Sequence, residues 1–289
     1  MEQQPLDRLR VLPQYILPHH LLSRSAGLLA ECQWPLVKDA LIRSFTSAFP
    51  VNMSEAQQEN PFAYASFNDF FTRALKPDAR PIAETGIVCP ADGAISQLGK
   101  IDDELIFQAK GHSYTLTQLL GGDTQRAEPF RNGEFATVYL SPRDYHRVHM
   151  PYAGRLTEMI YVPGKLFSVN QRTSEHVPAL FARNERVVAI FETDLGPMAV
   201  VLVGAMIVAS IETVWAGLVT PPKRKLHLTR YTGEHAKISL ARGEEMGRFK
   251  LGSTAIILFP KGQIRWDESL RAGTPVRMGQ AFASCIDGA

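Results

Sequence analysis

From Gly86 onward the chain sets short apolar runs between clusters of Gly, Pro, Asp and Asn, with a turn signal about every 8–12 residues, and that texture commits it to a β-rich body. The runs are GIVCPADGAISQLGKI, FATVYLSP, GRLTEMIYVPG, VVAIFETDLGPMAVVLVGAMIVASIETVWAG and STAIILFP. Asp92-Gly93 and Asp194-Leu195-Gly196-Pro197 read as turns. Few segments have the length and period of a core helix; Thr173 to Arg183 is the stretch that could hold one. The most apolar run, Ala199 to Ile211, falls short of the roughly 18–20 residues that span a bilayer. Its β-branched residues and glycine make it a buried strand.

The first sixty residues differ. Val37, Leu41, Phe45 and Ala48 recur at helical spacing and form one apolar face, with Lys38 and Arg43 off it. Trp34 before Pro35 marks a helix start. Upstream, Leu9, Leu12, Ile16, Leu17, Leu21 and Leu22 make a second apolar stretch, cut into short pieces by Pro13 and Pro18. Two readings stand for these stripes: packing onto the protein's own core, or a helix lying in a membrane interface with Trp34 at headgroup level. The expected organisation is a helical segment over 1–60 and a β-rich catalytic domain over 61–289.

Composition excludes several classes. With 45% hydrophobic and 21% charged residues the chain is globular, and a net charge of +2 gives no reason to expect a nucleic-acid partner. Cys32, Cys89 and Cys285 are scattered and odd in number, which argues against a disulfide framework or a zinc site and fits a reducing compartment. Met1 to Pro13 lacks the apolar core of a secretory signal.

Three stretches carry residues able to do chemistry. In MGRFKLGSTAIILFP, Gly252-Ser253 stands just before a strand, and a glycine carbonyl can be held open to attack by the next hydroxyl. In LSPRDYHRVHMPYAG, His146 and His149 lie three apart; they read as buried structural histidines or as acid–base groups, and no Glu or Cys at ligand spacing suggests a metal. In CPADGAI, Asp92 precedes Gly93 as a turn former. Asp92, His149 and Ser253 together supply carboxylate, imidazole and hydroxyl, the three roles of a nucleophilic relay. Sequence alone does not bring them together.

Read in order, FNDFFTRALKPDARPI, PADGAISQLGKI, QAKGHSYTL, LSPRDYHRVHMPYAGRL, YVPGKLFSVN, LFARNERV, VGAMIVASIETVWAG and GRFKLGSTAI resemble the bacterial phosphatidylserine decarboxylase proenzymes through nearly the whole chain. The resemblance implies an α+β fold with a predominantly antiparallel, barrel-sandwich-like β body and N-terminal amphipathic helices. It implies self-cleavage between Gly252 and Ser253, with Asp92, His149 and Ser253 as the relay. The products are a β chain, 1–252, and an α chain, 253–289, held as a heterodimer and open to further homo-oligomerisation. Ser253 becomes a covalent pyruvoyl cofactor that forms a Schiff base with the substrate, and His146 is the candidate proton donor. The implied substrate is phosphatidylserine, and the implied location is peripheral, on the cytoplasmic face of the inner membrane. A lipid substrate favours the membrane-contacting reading of the N-terminal helices. It also makes the basic loop PPKRKLHLTR, with Lys223, Arg224, Lys225 and Arg230, a candidate contact for anionic lipid. Two other readings compete: a Ser–His–Asp hydrolase that never processes itself, and a non-catalytic membrane-surface module.

Overall fold

The computed structural model describes residues 11–109, 111–206, 210–220, 225–233, 237–250 and 253–286, and the Ser253 side chain lies outside the described residues. The strands, in chain order, are β1 Ile87–Val88, β2 Gly93–Lys100, β3 Leu105–Ala109, β4 His112–Thr115, β5 Glu134–Leu140, β6 Arg147–His149, β7 Gly154–Val162, β8 Arg186–Thr193 and β9 Gly196–Gly204. They continue as β10 Ser210–Thr213, β11 Gly217–Leu218, β12 His227–Arg230, β13 Ser239–Leu240, β14 Glu245–Lys250, β15 Ser253–Phe259, β16 Ile264–Trp266, β17 Pro275–Val276 and β18 Ala281–Cys285.

The largest sheet has the order β12-β7-β8-β9-β15-β5-β2-β17, with β13 also on β7, and a second has β11-β10-β14-β6. The described pairings within them are antiparallel. One face of the large sheet presents Val187, Ala189, Phe191, Val200, Leu202, Ala255, Ile257 and Phe259 to Val148, Ile211, Met246 and Phe249 of the second sheet. The opposite face presents Val188, Val201, Ile256 and Leu258 to Leu116, Phe130, Phe167 and Phe181. Burial on both faces is why these strands read as unbroken apolar runs rather than alternating ones. The sandwich is thus present, with open sheets whose edges are not joined into a barrel among the described residues.

β15 lies in the middle of this arrangement. It pairs with β5 from Ser253↔Leu140 to Phe259↔Glu134, and with β9 from Ser253↔Gly204 to Leu258↔Ala199. Every side chain from Thr254 to Phe259 is fully buried. The chain leaves the second sheet at Lys250 and enters the first at Ser253, so positions 251 and 252 join the two layers.

Two expectations about the body need correction. The run from Ala199 to Ile211 is two strands, β9 ending at Gly204 and β10 starting at Ser210 in the other sheet. Both sheets share one apolar interior, so hydropathy does not fall where the chain crosses. The stretch Thr173 to Arg183 holds two single helical turns, Gln171–Ser174 and Leu180–Arg183, parted by Pro178, whose missing N–H stops a continuous helix.

The N-terminal layer comprises α1 Pro13–Ile16, α2 His19–Ala30, α3 Pro35–Ala48 and α4 Phe67–Phe71. Pro35 opens α3 after Trp34, and Ser66 Oγ caps α4 by accepting the Asp69 N–H at 3.1 Å. Ile42 of α3 is buried with Phe67, Phe70 and Phe71, and Phe45 packs against them. The α3 stripe is displaced by one residue from the sequence reading: Lys38 is buried and Ala48 exposed. The Lys38 ammonium is satisfied by donating to Asp39 and to the Phe62 carbonyl.

On α2 the usual polarity is reversed. His19, Ser23, Gly27 and Ala30 face inward, while Leu21 and Leu28 are 64% and 79% exposed. Ile16, Trp34 and Leu36 are also exposed, so the layer turns a band of large apolar side chains outward. Among the described residues no helix is long and apolar enough to cross a membrane.

Because β15 is enclosed on both faces and both edges, Ile257→Ala is expected to cost about 2–5 kcal/mol. Urea unfolding measures it, and a cost below about 1 kcal/mol would contradict this placement.

Candidate active site

Register brings the three relay segments to one end of the large sheet. Ser253 opens β15 beside Leu140 and Gly204. Thr254 is level with Tyr139, and Tyr139 with Ala94, two residues after Asp92. Two strand spacings, on the order of 10 Å, therefore separate the backbones of the Asp92 turn and Ser253. His149 is tied to the same turn, its N–H donating to the Pro90 carbonyl at 2.8 Å. On its other side β6 lies along β14, the strand that runs toward the 252–253 bond, with His149 opposite Glu245. Gly252 and the Ser253 side chain lie outside the described residues.

Gly93 makes the turn possible. Its φ is +157°, and a Cβ there would lie 2.1 Å from the Tyr139 carbonyl oxygen. Only glycine lets the Asp92 turn approach β5 so closely.

Asp92 is buried in a forked ion pair with Arg80. Arg80 Nε donates to Oδ1 at 2.9 Å and to Oδ2 at 3.1 Å, and Nη2 donates to Oδ2 at 2.5 Å. The Met278 N–H adds a bond to Oδ1 at 2.9 Å, and Glu55 takes a further bond from Arg80 Nη2 at 2.8 Å. Burial works against the guanidinium charge, but the bonds to Asp92 and Glu55 outweigh it and raise its pKa.

His149 is fixed at both ring nitrogens. Nδ1 lies 2.8 Å from the Gly243 carbonyl, and Nε2 lies 3.0 Å from the Tyr145 hydroxyl. A carbonyl oxygen only accepts, so Nδ1 carries the proton and Nε2 holds the lone pair, which the Tyr145 O–H meets. Burial lowers the His149 pKa, opposed by the Gly243 bond and by the charges of Glu245 and Asp92. The ring is therefore a neutral base at pH 7.

This differs from the relay read from sequence. The Gly243 carbonyl, not Asp92, sets the tautomer, and Asp92 and His149 share no hydrogen bond. The reason is competition: Arg80 gives the carboxylate two parallel charge-assisted bonds, which a single imidazole N–H does not match. Asp92 acts on His149 through its field, favouring the imidazolium.

His146 is wholly buried, its ring 4.0 Å from that of Phe71. Nδ1 bonds the Asp144 carbonyl at 2.8 Å, and Nε2 has no partner. The same tautomer logic leaves Nε2 without a proton. Burial drives the pKa down to about 3, the Asp144 carbonyl opposing and Arg73 assisting. In this arrangement His146 is neutral at pH 7, its one ring proton on Nδ1 and held by the Asp144 carbonyl.

The family model described as Phosphatidylserine decarboxylase matches residues 67–284, and a second, described as PSD, matches residues 9–50. The chain belongs to the phosphatidylserine decarboxylase family. Among its relatives is a phosphatidylserine decarboxylase proenzyme of Ectopseudomonas mendocina, 66% identical, with 96% of this chain and 98% of the relative covered. Another, of Pseudomonas putida strain GB-1, is 65% identical over 97% and 99%. A third, of Pseudomonas fluorescens strain Pf-5, is 63% identical over 95% and 96%.

Within this decarboxylase, sequence reasoning passed over Tyr145, Gly243 and Arg80. Tyr145 stands inside the DYHRVH motif, where its place beside two histidines was the available signal. Arg80 stands inside KPDARPI, where nothing local points to Asp92.

His146 and His149 also set an acid limit on stability. Their folded pKa values lie below the ordinary 6.5, that of His146 at about 3. As pH falls below 6.5 the unfolded chain binds protons that the folded chain excludes, so stability present above 6.5 is lost. For His146 the loss approaches about 1.4 kcal/mol per pH unit on the way toward pH 3. The urea midpoint of an uncleaved Ser253→Ala chain is expected to fall from about pH 7 to about pH 5, and to fall less in a His146→Leu background. Equal slopes in the two backgrounds would contradict this.

Proposed function

We propose that this chain decarboxylates phosphatidylserine to phosphatidylethanolamine with a pyruvoyl group made from its own Ser253, after cutting itself between Gly252 and Ser253. The observation that carries the reading is where that bond falls. It lies in the link between two sheets, so a cut there leaves β14 held by β10 and β6, and β15 held by β5 and β9. A new chain terminus at Ser253 stays fixed beside the Asp92 turn. The α chain, 253–289, keeps the buried side chains of β15, and four large apolar ones, Ile256, Ile257, Leu258 and Phe259, at about 1.5–3 kcal/mol each hold it without a covalent bond.

The self-cleavage uses groups this chain supplies. Ser253 Oγ bonds to the Gly252 carbonyl carbon while its proton passes to His149 Nε2. The 252–253 C–N bond then breaks, the proton moves to the nitrogen, and an ester joins the two residues. Loss of the Ser253 α-proton expels Gly252 as a carboxylate; tautomerisation and water then release ammonia and leave a ketone. General-base help of this kind contributes about 10²–10⁴-fold. The Nε2 lone pair is the one Tyr145 occupies, so Tyr145 yields it when the hydroxyl attacks. Asp92 lowers the cost of the imidazolium through its charge. The pyruvoyl group supplies an electron-withdrawing carbonyl for the departure of carbon dioxide.

A lipid substrate gives the outward leucines of the N-terminal layer a partner. Leu21, Leu28, Ile16 and Trp34 suit a helix lying at the bilayer surface, apolar face down, on the cytoplasmic side of the inner membrane. In the basic loop Lys225 and Arg230 are described, Arg230 bonding Glu158, while Lys223 and Arg224 lie outside the described residues. The division into a membrane-contacting segment, 1–60, and a catalytic domain, 61–289, belongs to this reading.

Two tests address it. Intact mass spectrometry of the purified protein is expected to show two chains in place of one of 32.1 kDa, with Ser253 converted to a ketone. Ser253→Ala is expected to leave the chain whole, and His149→Ala to slow the cut by about a hundredfold or more. A single unmodified chain that labels with a serine-directed reagent would indicate the hydrolase instead. In vesicle flotation, Leu21→Glu with Leu28→Glu is expected to reduce binding more than tenfold. Unchanged binding would remove the helices from the membrane contact.

A further inference from the structure

Between β7 and β8 the chain passes through residues 164–170 outside any described strand, and its backbone is satisfied from two sides. Of the four successive N–H groups from 165 to 168, two turn to the body. That of Lys165 donates to the Arg183 carbonyl at 2.8 Å, and that of Phe167 to Asn184 Oδ1 at 3.0 Å. The other two turn to the N-terminal layer. The Leu166 N–H donates to His19 Nδ1 at 3.2 Å, and the Ser168 N–H to Gln14 Oε1 at 2.9 Å. His20 Nε2 donates to the Gly164 carbonyl at 2.9 Å. The buried Phe167 ring meets those of Tyr15 and His19, each with its centroid 5.1 Å away. Buried backbone donors need acceptors, so this loop keeps its path only with α1 and α2 in place.

The same loop reaches the end of the large sheet where β15 begins. Leu166 packs over Gly204: a Cβ there would meet Leu166 Cδ2 at 3.4 Å, and Gly204 is level with Ser253. Asn184 is wholly buried. Its Nδ2 donates to the Phe167 carbonyl at 2.8 Å and to the Gly204 carbonyl at 2.9 Å, which joins the loop to the strand end. A cavity of about 190 Å³ is lined by Val169 of the loop and by Ala94 and Tyr139 of β2 and β5. Tyr139 is level with Thr254, the residue after Ser253.

We infer that residues 164–170 form one wall of the substrate site beside Ser253, and that α1 and α2 set its position through Gln14, His19 and His20. The inference rests on the phosphatidylserine reading. In it α2 has two tasks. Its outward leucines suit a bilayer surface, and its first two residues hold the wall against which the headgroup reacts. The layer is then more than an anchor. A substrate that never meets a bilayer still depends on it, because a displaced wall loses both binding and orientation.

The test uses the processed enzyme with two substrates, monomeric dihexanoyl phosphatidylserine and vesicles of phosphatidylserine in phosphatidylcholine. Gln14 is half-buried and His20 exposed, so both are open to change. A Gln14→Ala, His20→Ala double variant removes the two ties. A Gln14→Glu, His20→Gln double variant keeps an acceptor and a donor in their places. The alanine variant is expected to cleave itself and to float with vesicles as the parent does, while its kcat/KM on the monomer falls about tenfold. The conservative variant is expected to recover most of that loss. An unchanged kcat/KM on the monomer overturns the inference. So does a loss confined to the vesicle substrate, which reduces the layer to an anchor. An equal loss in both variants overturns it as well, since it marks general damage to packing. Should the alanine variant fail to fold, Gln14→Ala alone is judged by the same outcomes against Gln14→Glu. Absence of carbon dioxide release from the parent enzyme would instead overturn the phosphatidylserine reading beneath it.

Discussion

The position of β15 is the constraint on which the other features depend. A strand paired along both edges and covered on both faces does not shift, so its first residue, Ser253, is fixed to within the play of Leu140 and Gly204 on either side. The Asp92 turn is set against β5 by Gly93, and β6 is set against the Asp92 turn by the Pro90 carbonyl. Each later element is thereby located relative to the front of β15. Reactive groups held on strands in this way keep their geometry better than groups carried on loops.

Around that frame the polar groups divide their tasks differently from a simple hydroxyl–imidazole–carboxylate line. Asp92 is the centre of a buried network of Arg80, Glu55 and the Met278 N–H, and this network joins the N-terminal segment, the turn before β2 and the chain after β17. His149 receives its tautomer from a backbone carbonyl and its lone-pair partner from Tyr145. Carboxylate and imidazole thus communicate by field and not by contact.

The β character of the body was legible because turns and apolar runs are local properties. The two-residue hairpin at Asp194-Leu195, the cap at Ser66 and the start of α3 at Pro35 follow from residues adjacent in sequence. What was not legible depends on distant partners. The run from Ala199 to Ile211 keeps its hydropathy while changing sheets, because the interior it enters is as apolar as the one it leaves. Lys38 is buried because the Phe62 carbonyl happens to receive its ammonium. Arg80 lies close in sequence to Asp92, yet no spacing rule for loops announces the pair. On α2 two stripes coexist, and hydropathy favours the leucines as the core face. The structure instead seats His19, Ser23, Gly27 and Ala30 against the body, where small side chains permit close approach.

A cut at the proposed bond, between two completed layers, would also impose an order on events in time. Under the self-cleavage proposed above, the carbonyl at 252 would meet its base only after β5, β9 and the segment beyond 253 have assembled, since β15 is a central strand. On that proposal, a chain that misfolds, or is interrupted before its last strands emerge, would never acquire an electrophile able to react with stray amines. Maturation would in this sense be a proofreading step, performed once per molecule and licensed by the finished architecture.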